Sequence, residues 1–165
     1  MKLVLFNGGK PGVLKGDHVV DISPAVGSVS QRDAQELMAG IIANFAALRP
    51  EIERLVAQEP GVPLASVGLM APLPRPSKIL CVIGNYKEGT HREPQAIDIF
   101  LKNPDAVIGP GGTVVLPDAP ATIFHHEAEL AVVIGQAATR VSEAQALDHV
   151  FGYTTSVDVS ARAPA

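Results

Sequence analysis

The chain of 165 residues holds one cysteine, no run of adjacent Lys or Arg, and no apolar stretch long enough to cross a bilayer. Each scarcity excludes something. Cys81 alone cannot form an internal disulfide, so the fold has to be held by its core, and a reducing cytoplasm is the expected compartment. Isolated cations and a net charge of −4 argue against phosphate-backbone recognition, so no nucleic-acid partner is expected. A spanning helix needs about 18 consecutive apolar residues. None is present, and Met1 to Phe6 runs into Asn7-Gly8-Gly9 before a signal-peptide core forms, so no membrane partner is expected either. Charged residues are only 18% against 47% apolar, which is the balance of a globular chain with a proper core. There is no internal repeat and no low-complexity tract.

Two segments of different character follow one another. Residues 1–70 read as a small α+β unit. Lys2–Phe6 is a short apolar strand, Gly8–Gly12 a turn cluster, and Val13–Lys15 and His18–Ile22 are strands about the Lys15-Gly16-Asp17 turn. A helix then follows with Ser30 as N-cap and Leu37, Ile41, Phe45 and Leu48 on one face. Pro50 sits where a second helix would begin, with Ile52, Leu55 and Val56 as its apolar side. Prolines at 60, 63, 72, 74 and 76 suggest an extended connector, closing at residues 71–77.

From residue 78 onward the pattern turns to β-structure. Lys78–Ile83 is nearly all apolar, as in a strand buried on both faces, and Gly84-Asn85-Tyr86 is a loop. Gly109–Gly112 is a turn and Thr113–Leu116 a short strand. A strand over Glu127–Ile134 comes next, stopped by Gly135. A short helix over 143–150 has Ser142 and Gln145 at capping-box spacing, and Tyr153–Ser160 alternates as a last strand.

The chemically informative feature is Glu127 and Glu129 at i and i+2. Strand alternation puts both on one face, with Cα atoms about 6.6 Å apart, and leaves Ala128, Leu130, Val132 and Ile134 as the expected core face. Neighbouring carboxylates repel and resist desolvation unless a cation or strong donors compensate. Asp158 adds a third, sharing its face with Thr154, Ser156 and Ser160. Three oxygen donors suit a hard divalent ion such as Mg²⁺. The same alternation also fits a half-buried strand whose glutamates face water.

The run His125-His126-Glu127-Ala128-Glu129-Leu130-Ala131-Val132-Val133-Ile134-Gly135, with Val141-Ser142-Glu143, Ala146-Leu147-Asp148, Gly152-Tyr153-Thr154 and Val157-Asp158-Val159-Ser160-Ala161-Arg162, closely resembles the fumarylacetoacetate hydrolase family. Lys78 to Tyr86, Phe100-Leu101-Lys102 and Gly109-Pro110-Gly111-Gly112 fit the same pattern in the same order, so the resemblance spans residues 78–162. It implies an α+β chain: a small N-terminal domain over 1–70, then over 78–165 the first part of a mixed β-sheet roll, mostly β, usually assembled as a homodimer. It also implies that Glu127, Glu129 and Asp158 are metal ligands for Mg²⁺, or Mn²⁺ or Ca²⁺ in some members. Members act on small 2-oxo acids and β-diketone-like compounds of the acylpyruvate type through a metal-stabilised enolate. C–C bond hydrolysis is the expected reaction; hydration, decarboxylation and isomerisation are the family's alternatives.

Other roles follow from the same resemblance. Lys102 matches the lysine of a Phe-x-Lys motif in the substrate pocket, and Asn85, Tyr86, His126 and Arg162 fall at substrate-binding positions. The chain departs from the family's Asn-Tyr-x-x-His pattern: Asn85-Tyr86-Lys87-Glu88-Gly89-Thr90-His91-Arg92-Glu93 has Gly89 where the water-activating His stands. A subgroup resembles this Asn-Tyr-x-Glu-Gly-Thr version, and His91 and Glu93 are the substitutes in reach, although residues two apart on a helix do not face one another. The family's domain continues after Ser-Ala-Arg with a Gly-Lys-Ser-Phe-like segment bearing a catalytic lysine. That segment is absent from the 165 residues, so the expectation is a partial catalytic domain whose sheet edges need another chain, with an inactive interaction module as the alternative. Among the remaining residues, adjacent strand histidines point to opposite faces, so His125 and His126 do not form a zinc pair. His149 reads as surface, and Cys81 as inert core.

Overall fold

A computed structural model of the chain describes residues 1–86, 96–118, 120–121 and 123–162. It is an α+β fold, mostly strands, and it divides into two compact units: Met1–Ile41 with Ala46–Gly112, and Ile42–Phe45 with Thr113–Ala165. The connector expected at 71–77 therefore lies inside the first unit.

The first unit is built on a meander. Strands β1 (Leu3–Phe6), β2 (Lys10–Lys15) and β3 (His18–Asp21) pair antiparallel in sequence order. The proline-rich stretch is not a free connector. It supplies β4 (Val62–Pro63) against β3 and β5 (Leu69–Met70) against β1, giving the order β4-β3-β2-β1-β5. Proline suits these positions because an edge strand has backbone groups that need no ladder partner.

Strand β2 starts earlier than the Gly8–Gly12 turn cluster suggested. Pro11 lies opposite Leu5, and its carbonyl accepts from the Ile22 N–H at 3.0 Å. Gly12 is required by close approach: a Cβ there would lie 2.8 Å from Val19 Cγ1 and 3.0 Å from the Phe6 ring.

Two helices complete the core, α1 (Ala34–Ala43) and α2 (Phe45–Gln58). The cap of α1 is Asp33 rather than Ser30, since Asp33 Oδ1 accepts from the Glu36 N–H at 2.8 Å. Helix α2 begins at Phe45 and carries Pro50 inside it. Proline is tolerated near a helix start, where early N–H groups lack intrahelical acceptors. Leu5, Val19, Val20 and Ile22 from the sheet and Ile41 and Ile52 from the helices are fully buried. Lys15 Nζ closes the end of α2 by donating to the carbonyls of Val56 at 2.8 Å and Glu59 at 3.1 Å.

The same unit holds a two-stranded antiparallel ribbon, β6 (Ile79–Ile83) with β7 (Asp98–Lys102), Cys81 lying opposite Phe100. β6 is not buried on both faces: Leu80 and Ile83 are exposed, because the only strand paired with it among the described residues is β7. Thr113–Leu116 forms no strand; the turn before it does form, with the Gly112 N–H donating to the Gly109 carbonyl at 3.1 Å and Gly111 at φ +79°.

In the second unit β8 (Ile123–Ile134) pairs antiparallel with β9 (Val150–Arg162) along nearly their full lengths. Between them lies α3 (Glu143–Ala146), shorter than expected because residues 147–149 tighten into a 3₁₀ turn and β9 starts at Val150. The Ser142 hydroxyl donates to Gln145 Oε1 at 2.8 Å, a side-chain bond in place of the backbone cap. The ladder slips between Val133 and Ile134, whose partners Gly152 and Val150 leave Phe151 as the extra residue of a bulge. Phe151 packs edge-to-face on Phe45, with ring centroids 5.1 Å apart. All pairings among the described strands are antiparallel.

The core makes two checks available. Ile41→Ala removes a fully buried side chain and is expected to cost about 2–5 kcal/mol, read from the urea midpoint at constant slope. Asp33→Ala, which removes a helix cap, is expected to cost only about 1 kcal/mol in the same measurement.

Candidate metal centre

The three carboxylates singled out above lie on the β8–β9 ribbon. Glu127 is the direct cross-strand partner of Asp158, and Glu129 that of Ser156. Opposed residues of an antiparallel pair share a face, with Cα atoms about 4.5–5.5 Å apart. The register therefore sets Glu127, Glu129 and Asp158 at three corners of one patch. Ser160, opposite His125, and Thr154, opposite Ala131, continue the same face.

This patch is not the solvent-washed side of the ribbon. Glu127, Glu129 and Asp158 are all half-buried, whereas Leu130, Val132 and Ile134 are exposed. The expected core face is thus open, because in a two-stranded ribbon no further layer covers it among the described residues.

Two cationic side chains approach Glu127 Oε1 on this face, His125 Nδ1 at 3.7 Å and Arg162 Nη2 at 3.8 Å. Both contacts are longer than a hydrogen bond and act as charge proximity. They offset part of the repulsion between Glu127 and Asp158, since like charges directly opposite one another destabilise a ladder. The sequence reading passed over His125, although stepping back by two from Glu127 along the alternation reaches it. His126 lies on the other face, paired with Val159, away from the carboxylates.

The donor set fits a hard divalent ion in chemistry, with carboxylate oxygens and hydroxyls and no thiolate on the patch. The fit lies in the backbone register. Among the described residues no three His, Cys, Asp or Glu side chains are drawn together at ligating distance.

The remaining site candidates belong to the first unit. Lys102 is half-buried at the end of β7, with Nζ 5.7 Å from the centroid of the Phe100 ring, a cation–π approach. Asn85 and Tyr86 follow β6 after Gly84, which sits at φ +64°, and both are exposed. Cys81 is half-buried in β6. His91 and Glu93 lie outside the described residues.

Comparison with known proteins agrees with this layout. The family described as Fumarylacetoacetate (FAA) hydrolase C-terminal matches residues 78–165. Maleylpyruvate hydrolase of Aquipseudomonas alcaligenes is 31% identical over 183 residues, covering 99% of this chain and 63% of its own. Oxaloacetate tautomerase YisK of Bacillus subtilis is 42% identical over 106 residues, 60% of this chain and 35% of its own. Among solved structures, maleylpyruvate hydrolase from Sphingobium sp. SYK-6, in complex with manganese(II) ion and pyruvate, superposes with a TM-score of 0.85 at 35% identity, covering 98% of this chain and 60% of that one. The chain spans less than two thirds of the length of each of these relatives.

The opposed carboxylates make a prediction. Asp158→Asn removes the charge facing Glu127 while leaving Arg162 and His125 in place, so in chelator-treated buffer the variant is expected to be more stable than wild type by about 0.2–1 kcal/mol. Thermal melts in EDTA check this; a variant less stable than wild type contradicts it.

Proposed function

Because the chain belongs to the fumarylacetoacetate hydrolase family, we propose that it carries the metal-binding face of a divalent-metal-dependent enzyme that hydrolyses a C–C bond in small 2-oxo acids of the acylpyruvate type. The observation that carries this reading is the β8–β9 register, which puts Glu127, Glu129 and Asp158 on one half-buried face. It is supported by the manganese(II) and pyruvate bound in the similar Sphingobium enzyme.

In this reading Glu127, Glu129 and Asp158 hold Mg²⁺, with Mn²⁺ or Ca²⁺ able to replace it. The ion, when bound, supplies a Lewis acid toward a 2-oxo group and its neighbouring carboxylate. Every other contribution is the protein's own. Arg162 holds a substrate carboxylate as a planar, permanently charged donor and keeps Glu127 aligned when no anion is near. Ser156 and Ser160 leave room for a small ligand where larger side chains would fill the face. Lys102 supplies a second cation to the substrate, and its packing on Phe100 restricts where the ammonium can go. Asn85 and Tyr86 border the pocket, and His91 with Glu93 activates water. Homodimeric assembly and a cytoplasmic setting complete the proposal; the lone cysteine supports the latter. Among the described residues no helix is long and apolar enough to cross a membrane.

A second reading, tautomerisation of a 2-oxo acid, is favoured by one specific observation. Gly89 occupies the position of the water-activating His. Moving a proton between carbon and oxygen needs a metal and a base but no attacking water. The similarity to oxaloacetate tautomerase YisK points the same way.

Calorimetric titration with Mg²⁺ and Mn²⁺ tests the metal site directly: wild type is expected to bind and Glu129→Ala to lose essentially all heat, and equal heats would remove the site. An assay on acylpyruvates and on enol oxaloacetate, with and without chelator, separates the two readings. Chelator-sensitive cleavage supports hydrolysis, and chelator-sensitive isomerisation without cleavage supports tautomerisation.

A further inference from the structure

The two faces of the β8–β9 ribbon are chemically opposite. One carries His125, Glu127, Glu129, Asp158 and Arg162; the other carries Leu130, Val132, Tyr153 and Val157 without a single acidic side chain, Lys or Arg. Those four apolar residues are 59%, 49%, 60% and 65% exposed. In an antiparallel sheet one face meets water and the other meets a core, and here the face facing water is the apolar one. Soluble chains rarely leave a contiguous apolar patch of this kind uncovered. A two-stranded ribbon is also marginal by itself and gains independent stability from further strands or a packed layer.

We propose that this uncharged face docks the polypeptide that, in the relatives, has no counterpart in these 165 residues. The Sphingobium maleylpyruvate hydrolase matches 98% of this chain at a TM-score of 0.85, yet that match covers only 60% of its own length. A relative with the same backbone here thus has two fifths of a chain more with which to cover the same surface. The absence of ionic groups from the face fixes the partner's chemistry: an apolar sheet or helix face, packed without ion pairs.

Covering the face has a consequence for the site, and this clause rests on the metal reading above. Glu127, Glu129 and Asp158 are spaced only by the pairing of β8 with β9, so holding the two strands against a third layer fixes the distances among their carboxylates. Docking at the apolar face and metal affinity at the acidic face are then coupled through the thickness of one sheet.

The test is co-expression of the full 165-residue chain with the unmatched portion of the Sphingobium enzyme as a separate tagged polypeptide. Size-exclusion chromatography with light scattering and Mn²⁺ calorimetry of the purified complex provide the readouts. A one-to-one complex is expected. Val157→Lys and Leu130→Lys, surface changes checked for folding by circular dichroism, are expected to weaken it about tenfold or more, while Glu127→Gln leaves it intact. Mn²⁺ is expected to bind about tenfold more tightly in the complex than in the chain alone. Failure to form the complex, a complex indifferent to Val157→Lys, or a homodimer of the chain alone that Val157→Lys disrupts would overturn the docking assignment. A Val157-dependent complex with unchanged Mn²⁺ affinity overturns the coupling. The same complex with no Mn²⁺ binding at all overturns the metal reading and leaves the docking face standing.

Discussion

The opposition of Glu127 and Asp158 across one antiparallel ladder is the constraint on which the second unit turns. A sheet normally avoids like charges face to face, because nothing in the ladder itself offsets their repulsion. Here the register imposes it, and Glu129 adds a third negative group two residues along the same strand. The cations within reach, Arg162 and His125, come from the same face and approach only one of the three carboxylates in the recorded contacts. An arrangement that is unfavourable for folding and half-buried is the signature of a site built for something that arrives later. That is the physical link between a strand register and a family of metal-dependent enzymes.

Much of this was legible in the sequence, and the reason is the period of two. Glu127, Glu129 and Asp158 fall on one face by alternation alone, and the ordered motifs from Lys78 to Arg162 carry the family. The failures share a cause as well. Leu130, Val132 and Ile134 read as core because apolar residues usually are, but alternation says which residues share a face and nothing about what covers it. β6 misled in the same way: an apolar run describes a strand that wants two neighbours, while Ile79–Ile83 has one among the described residues.

Smaller departures in the first unit have local explanations. Asp33 displaced Ser30 as the cap because the helix begins four residues later than the apolar spacing alone suggests, and a carboxylate is the stronger acceptor for the first N–H groups. Pro50 was read as a helix start and lies within α2. The prolines between 60 and 76 looked like a linker by composition. Two pairs of residues within that stretch instead find the open edges of the sheet, where the missing N–H is harmless.

Those two short strands also set an order of events. The meander of β1, β2 and β3 is complete by Asp21, yet its outer edges are closed only by Val62–Pro63 and Leu69–Met70, some forty residues later in the chain. On a ribosome, the nascent sheet therefore emerges with both borders unpaired and stays so until the two helices and the proline stretch have followed it out of the exit tunnel. Through that interval its neighbours on the polysome carry the same unpaired borders, which makes residues 62–70 the chain's own protection against strand exchange between copies still being made.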